Sequence, residues 1–307
     1  MSHRSSKSSK PRRLREILQK RTIAIPGAFN ALTAMQIEAA GYEVVYISGA
    51  AISAAHGLPD LGLLSLTEMV AEAGRIAHAI SLPAIVDADT GFGPPLMVMR
   101  AVREFERVGL AGMQIEDQEL PKKCGHLPGK SLVPADDMAA KIRAAVQARQ
   151  DPHFLIIART DARSVEGLHA AIARAQAYVE AGADALFPEA LESVEEFEQF
   201  ARAMAAAGIQ VPLFANMTEF GKTPYLSVNE FEALGYRGIL FPVTTLRVAA
   251  RAVEKLLYEL KTFGTQRDWL SQIHTRQQIN ELLHYQDYLE RERRLYDHSP
   301  DGSDTAS

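Results

Sequence analysis

The residues of this chain that could do chemistry sit at the ends of short apolar runs. In VDADTGFG, Asp87 and Asp89 are two residues apart. On a strand that spacing aims both side chains at one face, and Gly91 and Gly93 let the following loop approach without bulk. Crowded carboxylates repel, so a cation is their natural companion. Mg²⁺ takes one or two carboxylates, keeps several waters and leaves positions for a substrate oxygen; Mn²⁺ is a substitute of the same type. Zn²⁺ is disfavoured, because His56, His78 and His126 are scattered singly and no Cys set shows ligand spacing.

The lone Cys124 lies in Lys122-Lys123-Cys124-Gly125-His126, on a connection running from Gln118 to Pro134 that also carries Pro128-Gly129-Lys130. A connection this long in a compact domain is usually a lid or a disordered segment. Most single cysteines are small buried hydrophobes, but cationic neighbours favour a thiolate and bring its pKa toward neutral. General acid–base work is the chemistry expected of it. A Schiff-base aldolase needs a Lys at a strand end, and none of the strand ends supplies one. There is no P-loop, and no dinucleotide fingerprint follows the first strand.

The elements that must position these groups repeat one unit. Strands are expected at 22–28, 43–49, 83–89, 112–117, 154–161, 185–190, 212–217 and 238–243, with helices near 30–40, 66–80, 95–108, 135–149, 167–181, 193–207, 227–234 and 245–263. The strands are apolar rather than alternating, as for parallel strands buried on both faces. Eight such strand–helix pairs predict an α/β fold, a (β/α)8 TIM barrel over 22–264. An open doubly wound sheet would not require eight. Barrels of this kind place their active site at the C-terminal ends of the strands. Reading those ends gives Asn30, Ser48 with Gly49, Asp87 with Asp89, Glu116 with Asp117, Arg159 with Asp161, Glu189 and Asn216. Singly, Asp and Asn there are often turn or cap residues; as a set they suggest metal-assisted chemistry on an anionic substrate. Arg159, Arg247 and Arg276 are the candidate carboxylate clamps.

Composition excludes several classes. The chain has 307 residues with a net charge of −5, which argues against a nucleic-acid partner. Residues 1–21 alone carry +7 and read as a basic, solvated arm, with a mitochondrial transit peptide as the rival. A single Cys excludes a disulfide framework and fits a reducing compartment. No apolar run approaches a membrane span and no signal peptide is evident, so a cytoplasmic location is expected, or the mitochondrial matrix in a eukaryote. Residues 265–297 form a helical extension anchored by Trp269, Ile273, Ile279, Leu282, Leu283 and Tyr285, and 298–307 a frayed tail. The extension packs on its own barrel or docks on a neighbouring subunit; the pattern allows both.

VDADTGFG, IEDQ, PKKCGH and NMTEFGKTP together resemble the isocitrate lyase/phosphoenolpyruvate mutase superfamily, from about residue 20 to residue 297. The mutases lack the Cys of KKCGH. Isocitrate lyases share it but are much longer and carry a Ser/Pro-rich motif where this chain has Asn216-Met217-Thr218-Glu219-Phe220, so the likeness is to the methylisocitrate-cleaving branch. The resemblance implies a Mg²⁺-dependent carbon–carbon lyase acting on a small tricarboxylate, releasing pyruvate and succinate in the methylcitrate cycle of propionate catabolism. It implies Mg²⁺ on Asp87 and Asp89, with Asp60 and Glu116 in the outer sphere. It places Ser48, Gly49, Ala50, Cys124, Gly125, Arg159, Glu189, Asn216, Met217, Thr218, Arg247 and Arg276 around the substrate. Many members read Ser-Gly-Gly and Lys-Arg-Cys where this chain has Ser48-Gly49-Ala50 and Lys122-Lys123-Cys124; Ala50 still offers its N–H and Lys123 keeps the charge. Family members are typically homotetramers that swap a C-terminal helix, which favours the docking reading of 265–297.

In the mechanism so implied, Cys124 delivers a proton to carbon, Arg159 and Glu116 take part in catalysis, and Tyr46, two residues before Ser48, is a candidate base. The runner-up activities are isocitrate lyase, another 2-hydroxydicarboxylate lyase or an oxaloacetate hydrolase of the same superfamily. A non-catalytic dicarboxylate-binding barrel is the alternative from another class.

Overall fold

In the computed structural model, which describes residues 8–297, eight strands form one parallel sheet. They are β1 (Ile23–Ala28), β2 (Val45–Ile47), β3 (Ala84–Asp87), β4 (Gly112–Glu116), β5 (Leu155–Thr160), β6 (Ala185–Pro188), β7 (Phe214–Asn216) and β8 (Gly238–Phe241). The order β6-β5-β4-β3-β2-β1-β8-β7 runs round a barrel. A single parallel bridge, Leu186 to Leu213, closes it. A helix follows each expected strand, and a short one, Gly49–Ala55, lies directly after β2 where none was expected.

Two apolar layers explain why the strands are apolar on both faces. Ile25, Ile85, Ile157, Phe187, Phe214 and Leu240 fill the inside of the barrel. Residues of opposite parity, such as Val86, Met113, Ile156 and Leu186, pack outward against the helices. Because side chains alternate along a strand, the inward parity that builds the inner core continues upward. It delivers Asp87, Glu116, Arg159, Glu189 and Asn216 to the C-terminal mouth. The register pairs Asp87 with Gln114, Glu116 with Arg159, and Arg159 with Phe187, so these side chains are cross-strand neighbours.

The N-terminal reading needs correction. Within the segment assigned to a basic arm, Lys10–Lys20 is a helix capped by Ser9, and its Leu14, Ile17 and Leu18 join the inner core from below. Its cations are anchors. Lys10 Nζ donates to Ala77 O (2.8 Å) and Ile80 O (2.9 Å), the carbonyls that end another helix, and Arg15 pairs with Asp184 at 2.8 Å. Charge at a helix C-terminus stabilises it. The rest of the expected arm, 1–7, and the tail 298–307 lie outside the described residues.

The chain divides into two compact units, 1–250 and 251–307. In the second, the expected helical stretch is broken into a 3₁₀ turn (Arg267–Trp269) and helices Arg276–Leu282 and Tyr285–Asp297. Trp269 Nε1 donates to Glu259 Oε2 (2.5 Å), and Lys255 Nζ stands 5.3 Å above the indole. Ile273, Leu283 and Tyr285, expected as anchors, are exposed. Among the described residues no helix is long and apolar enough to cross a membrane.

Candidate active site

The C-terminal mouth encloses a cavity of about 100 Å³. Tyr46, Ser48, Ala50, Asp60, Asp87, Cys124, Gly125, Arg159, Glu189, Asn216, Thr218 and Arg247 all line it, so most of the residues singled out in the sequence converge there. Gly49 N–H donates to Asp87 Oδ2 at 3.3 Å, beside the same wall.

At the floor, Tyr46 Oη donates to Gln114 Oε1 (2.8 Å), and Gln114 Nε2 to Asp87 Oδ1 (3.4 Å). Burial, with Asp87 nearby, holds the Tyr46 phenol well above its usual value. Tyr46 therefore keeps its proton at neutral pH and is a poor base, contrary to the expectation. Asp87 and Asp89 do converge, but not by strand alternation. The strand ends at Asp87, and Asp89 turns back at φ 46°, a left-handed conformation that Asp tolerates better than most residues. Burial and the neighbouring Asp89 push Asp87 up to about 6.

Lys122 reaches Asp60 and lies 2.8 Å from Asp89 Oδ1. Burial alone would lower its pKa, but Glu116, Asp89, Asp87 and Asp60 together hold it above the ordinary lysine value. Its charge is thus directed at the carboxylates. The Lys123 ammonium donates to Gly129 O at 2.6 Å. With both lysines so engaged, burial pushes the Cys124 thiol up, the reverse of the expected drop. At neutral pH it is a thiol, which suits a proton donor and not a nucleophile.

Arg159 is the hub. It pairs with Asp161 through Nε (2.8 Å), Glu189 through Nη1 (3.1 Å) and Glu116 through Nε (3.3 Å), above the Phe187 ring. Burial would lower its pKa, but Asp161, Glu116 and Glu189 outweigh that and keep it charged. Burial disfavours ionised Glu189, yet Arg159, His126 and Lys130 hold it below the carboxylate range. Glu116 goes the other way, since desolvation exceeds the help of Arg159 and Lys122. Asn216 Nδ2 donates to Glu189 Oε2 (3.3 Å), and Asn216 Oδ1 accepts from Thr218 N–H (2.9 Å).

Other expected residues are engaged differently. Met217 is packed into the outer core and takes no part in the cavity lining. Arg247 is half-exposed and paired with Glu219 at 3.0 Å. Arg276 begins a helix of the second unit. Asn30 is a helix cap, accepting from Thr33 N–H at 2.8 Å. Asp117 faces outward to Thr160 and Tyr178, both at 2.7 Å. His126, scattered singly in the sequence, is drawn into the site by the fold. Its Nδ1 accepts from Lys222 N–H (3.1 Å), which directs Nε2 to within 3.0 Å of Glu189. The signal was present: His126 and Lys222 lie in the PKKCGH and NMTEFGKTP motifs, which meet here.

The donor set fits a hard divalent ion. Asp60, Asp87, Asp89, Glu116, Asp161 and Glu189 outnumber the cations Lys122, Lys130 and Arg159 lodged among them. Glu116 Oε1 is buried without a hydrogen bond, and Asp89 Oδ1 faces the Lys122 ammonium at 2.8 Å. No group of three or more His, Cys, Asp or Glu among the described residues could hold a metal, so the demand is for an ion content with one or two carboxylates and water.

Residues 14–261 match the phosphoenolpyruvate phosphomutase family. The chain is 52% identical over 280 residues to the 2-methylisocitrate lyase of Aeropyrum pernix, covering 91% of this chain and 89% of that one. The chain belongs to the 2-methylisocitrate lyase family. A probable 2-methylisocitrate lyase of Corynebacterium glutamicum is likewise 52% identical, covering 86% of this chain and 85% of that one. The barrel superposes on a solved 2,3-dimethylmalate lyase, a phosphoenolpyruvate mutase/isocitrate lyase superfamily member, with a TM-score of 0.88 at 36% identity, covering 97% and 99% of the two chains.

Proposed function

We propose that this chain cleaves 2-methylisocitrate to pyruvate and succinate, the carbon–carbon lyase step of the methylcitrate cycle. The observation that carries the reading is the seating of the Cys124-Gly125 turn directly over Arg159 and Glu189, beside the Asp87/Asp89 pair. Gly125 makes this approach possible, because a Cβ there would stand 2.4 Å from Glu189 Cγ and 2.5 Å from Arg159 Nη2.

Asp87 and Asp89 would hold Mg²⁺, with Asp60 and Glu116 toward its outer sphere; the ion supplies Lewis-acid stabilisation of a substrate oxygen that gains negative charge. Arg159, Asn216 and Thr218 offer donors to the substrate carboxylate into which charge moves as the bond breaks. Ser48 and Ala50 line the same cavity, and Gly49 sits against Asp87. Glu116 has a buried oxygen without a hydrogen bond at the mouth, and its carboxylate form would accept the hydroxyl proton in place of Tyr46. Cys124 gives its thiol proton to the departing carbanion, completing succinate.

Arg276 and the second unit enter through assembly. Leu257 is 59% exposed, Phe263 68% and Leu270 62%. Large exposed apolar surface marks an interaction site, and a homotetramer exchanging this segment accounts for it. The enzyme works in the cytoplasm. The test is steady-state turnover of 2-methylisocitrate beside isocitrate, with and without Mg²⁺. Pyruvate release that requires Mg²⁺ is expected; glyoxylate release from isocitrate at equal efficiency overturns the substrate assignment.

A further inference from the structure

Lys130 has no part in the chemistry above, yet its ammonium is almost wholly buried, with 1% of the side chain exposed. Burying a cation is costly unless it is paired and hydrogen-bonded. Its two partners come from different parts of the molecule. One is the carbonyl of Gly125, on the turn that carries Cys124. The other is Asp161 Oδ1 at 2.7 Å, just beyond β5.

Asp161 is also the bidentate partner of Arg159, with Nε donating to Oδ2 (2.8 Å) and Nη2 to Oδ1 (3.0 Å). One carboxylate oxygen therefore receives both the lysine and the arginine. Asp161 is itself fixed, since its N–H donates to Asp117 Oδ1 at 2.9 Å. Other ties hold the loop on either side of this turn: Lys122 reaches Asp60 and Asp89, His126 reaches Glu189 and Lys222, and the rest act on the stem or on Lys123. Glu119 N–H donates to Ser131 O (2.9 Å) and Val133 N–H to Asp117 O (2.9 Å). The Gln118 amide clamps both backbone groups of Lys123, at 2.9 and 2.8 Å.

We propose that Lys130 is a positioning residue. It latches the Cys124-Gly125 turn onto Asp161 and thereby sets the thiol and the Arg159 guanidinium in register. Lysine suits the role: a compact ammonium on a flexible stem can aim separate donors at a carbonyl and a carboxylate that do not share a plane. The inference rests on the reading that Cys124 and Arg159 act on one substrate.

The experiment compares wild type with Lys130→Met and Lys130→Arg, using full-length enzyme with Mg²⁺. If the latch favours the seated loop, its loss shifts the bound complex toward the unseated form. Losses of outer-shell partners typically cost about 10- to 100-fold. For Lys130→Met, kcat falls by about that factor and KM rises with it; Lys130→Arg recovers part of both. The second readout needs no turnover. Cys124 is the single cysteine, so iodoacetamide labelling followed by mass reports on it alone. Labelling of the ligand-free variant should quicken by about tenfold or more, and substrate should no longer protect.

A merely charge-neutralising lysine gives another pattern. There, Lys130→Met lowers the active fraction, so kcat drops while KM and the labelling rate stay at wild-type values, and that pattern overturns the proposal. Wild-type kinetics and labelling in Lys130→Met overturn it too. If Lys130→Met does not fold, Lys130→Gln, which keeps a donor without the charge, is read by the same criteria. Failure of wild type to release pyruvate would count against the substrate reading, while the labelling comparison still decides on the latch.

Discussion

Replacing Gly125 by alanine tests the geometry of the site with one methyl group. Gly125 does not use the left-handed region, so the added Cβ brings no backbone strain and acts only through space. It would stand 2.4 Å from Glu189 Cγ, 2.5 Å from Arg159 Nη2 and 2.7 Å from Glu189 Cδ. Ordinary contacts begin near 3.4 Å. Neither neighbour can yield cheaply, since Arg159 and Glu189 are buried and joined to each other and to Asp161 and His126. The turn must instead lift by about 1 Å, taking Cys124 with it. A displacement of about 1 Å in positioned groups costs ~10²-fold in rate, or about 2.7 kcal/mol of barrier. The assay is pyruvate release from 2-methylisocitrate at saturating Mg²⁺, beside a thermal melt. A melting temperature near wild type with kcat/KM down by ~10² is expected, because lifting the turn relieves the clash and leaves the apolar core of the barrel alone. Activity of Gly125→Ala within threefold of wild type would refute the seated turn as the working geometry.

Three further outcomes follow from the same site. Asp87→Asn should weaken Mg²⁺ binding, with activity partly restored by raised Mg²⁺; unchanged turnover in a chelator excludes this metal site. Cys124→Ser should fold and bind substrate yet lose ~10²- to 10⁴-fold in rate, the usual contribution of a general acid; turnover within a few-fold of wild type removes the thiol from the mechanism. The pH dependence has a definite sign. Asp87 is raised to about 6 from an ordinary 3.8, so its protonated form stabilises the metal-free fold, and that contribution is lost as pH rises from about 4 through 6. Mg²⁺ needs the ionised form. Thermal-shift titrations should therefore show apparent Mg²⁺ affinity falling below pH 6, approaching tenfold per unit, and a flat profile between pH 5 and 7 contradicts this.

The barrel was legible because each buried parallel strand leaves a short apolar run punctuated by glycine, and strand ends named the mouth residues without any contact information. What local sequence misled about was charge. Lys10 and Arg15 look like a solvated arm until their partners, Ile80 and Asp184, are brought to them by the fold. Lys122 and Lys123 neighbour Cys124 in sequence but aim at Asp60, Asp89 and Gly129, so the thiol is governed by burial. The Asp87/Asp89 pair was found for an incomplete reason, since a left-handed turn after the strand unites them. Tyr46 sits on the expected face, yet only the structure reveals how deeply its hydroxyl is buried. Met217, inside a recognisable motif, contributes packing where its polar neighbours contribute donors.

The barrel's seam lies at the candidate site. Five residue pairs register β4 on β5 and four register β1 on β8, whereas β6 and β7 share one bridge. The gap is spanned at the mouth by side chains, with Asn216 Nδ2 reaching Glu189 at 3.3 Å. Glu189 and Asn216 thus face each other across the one junction where the wall is not a continuous ladder. There the wall is joined at its top by an amide–carboxylate contact and lower down by the Leu186 bridge, where every other junction is a ladder of backbone pairs.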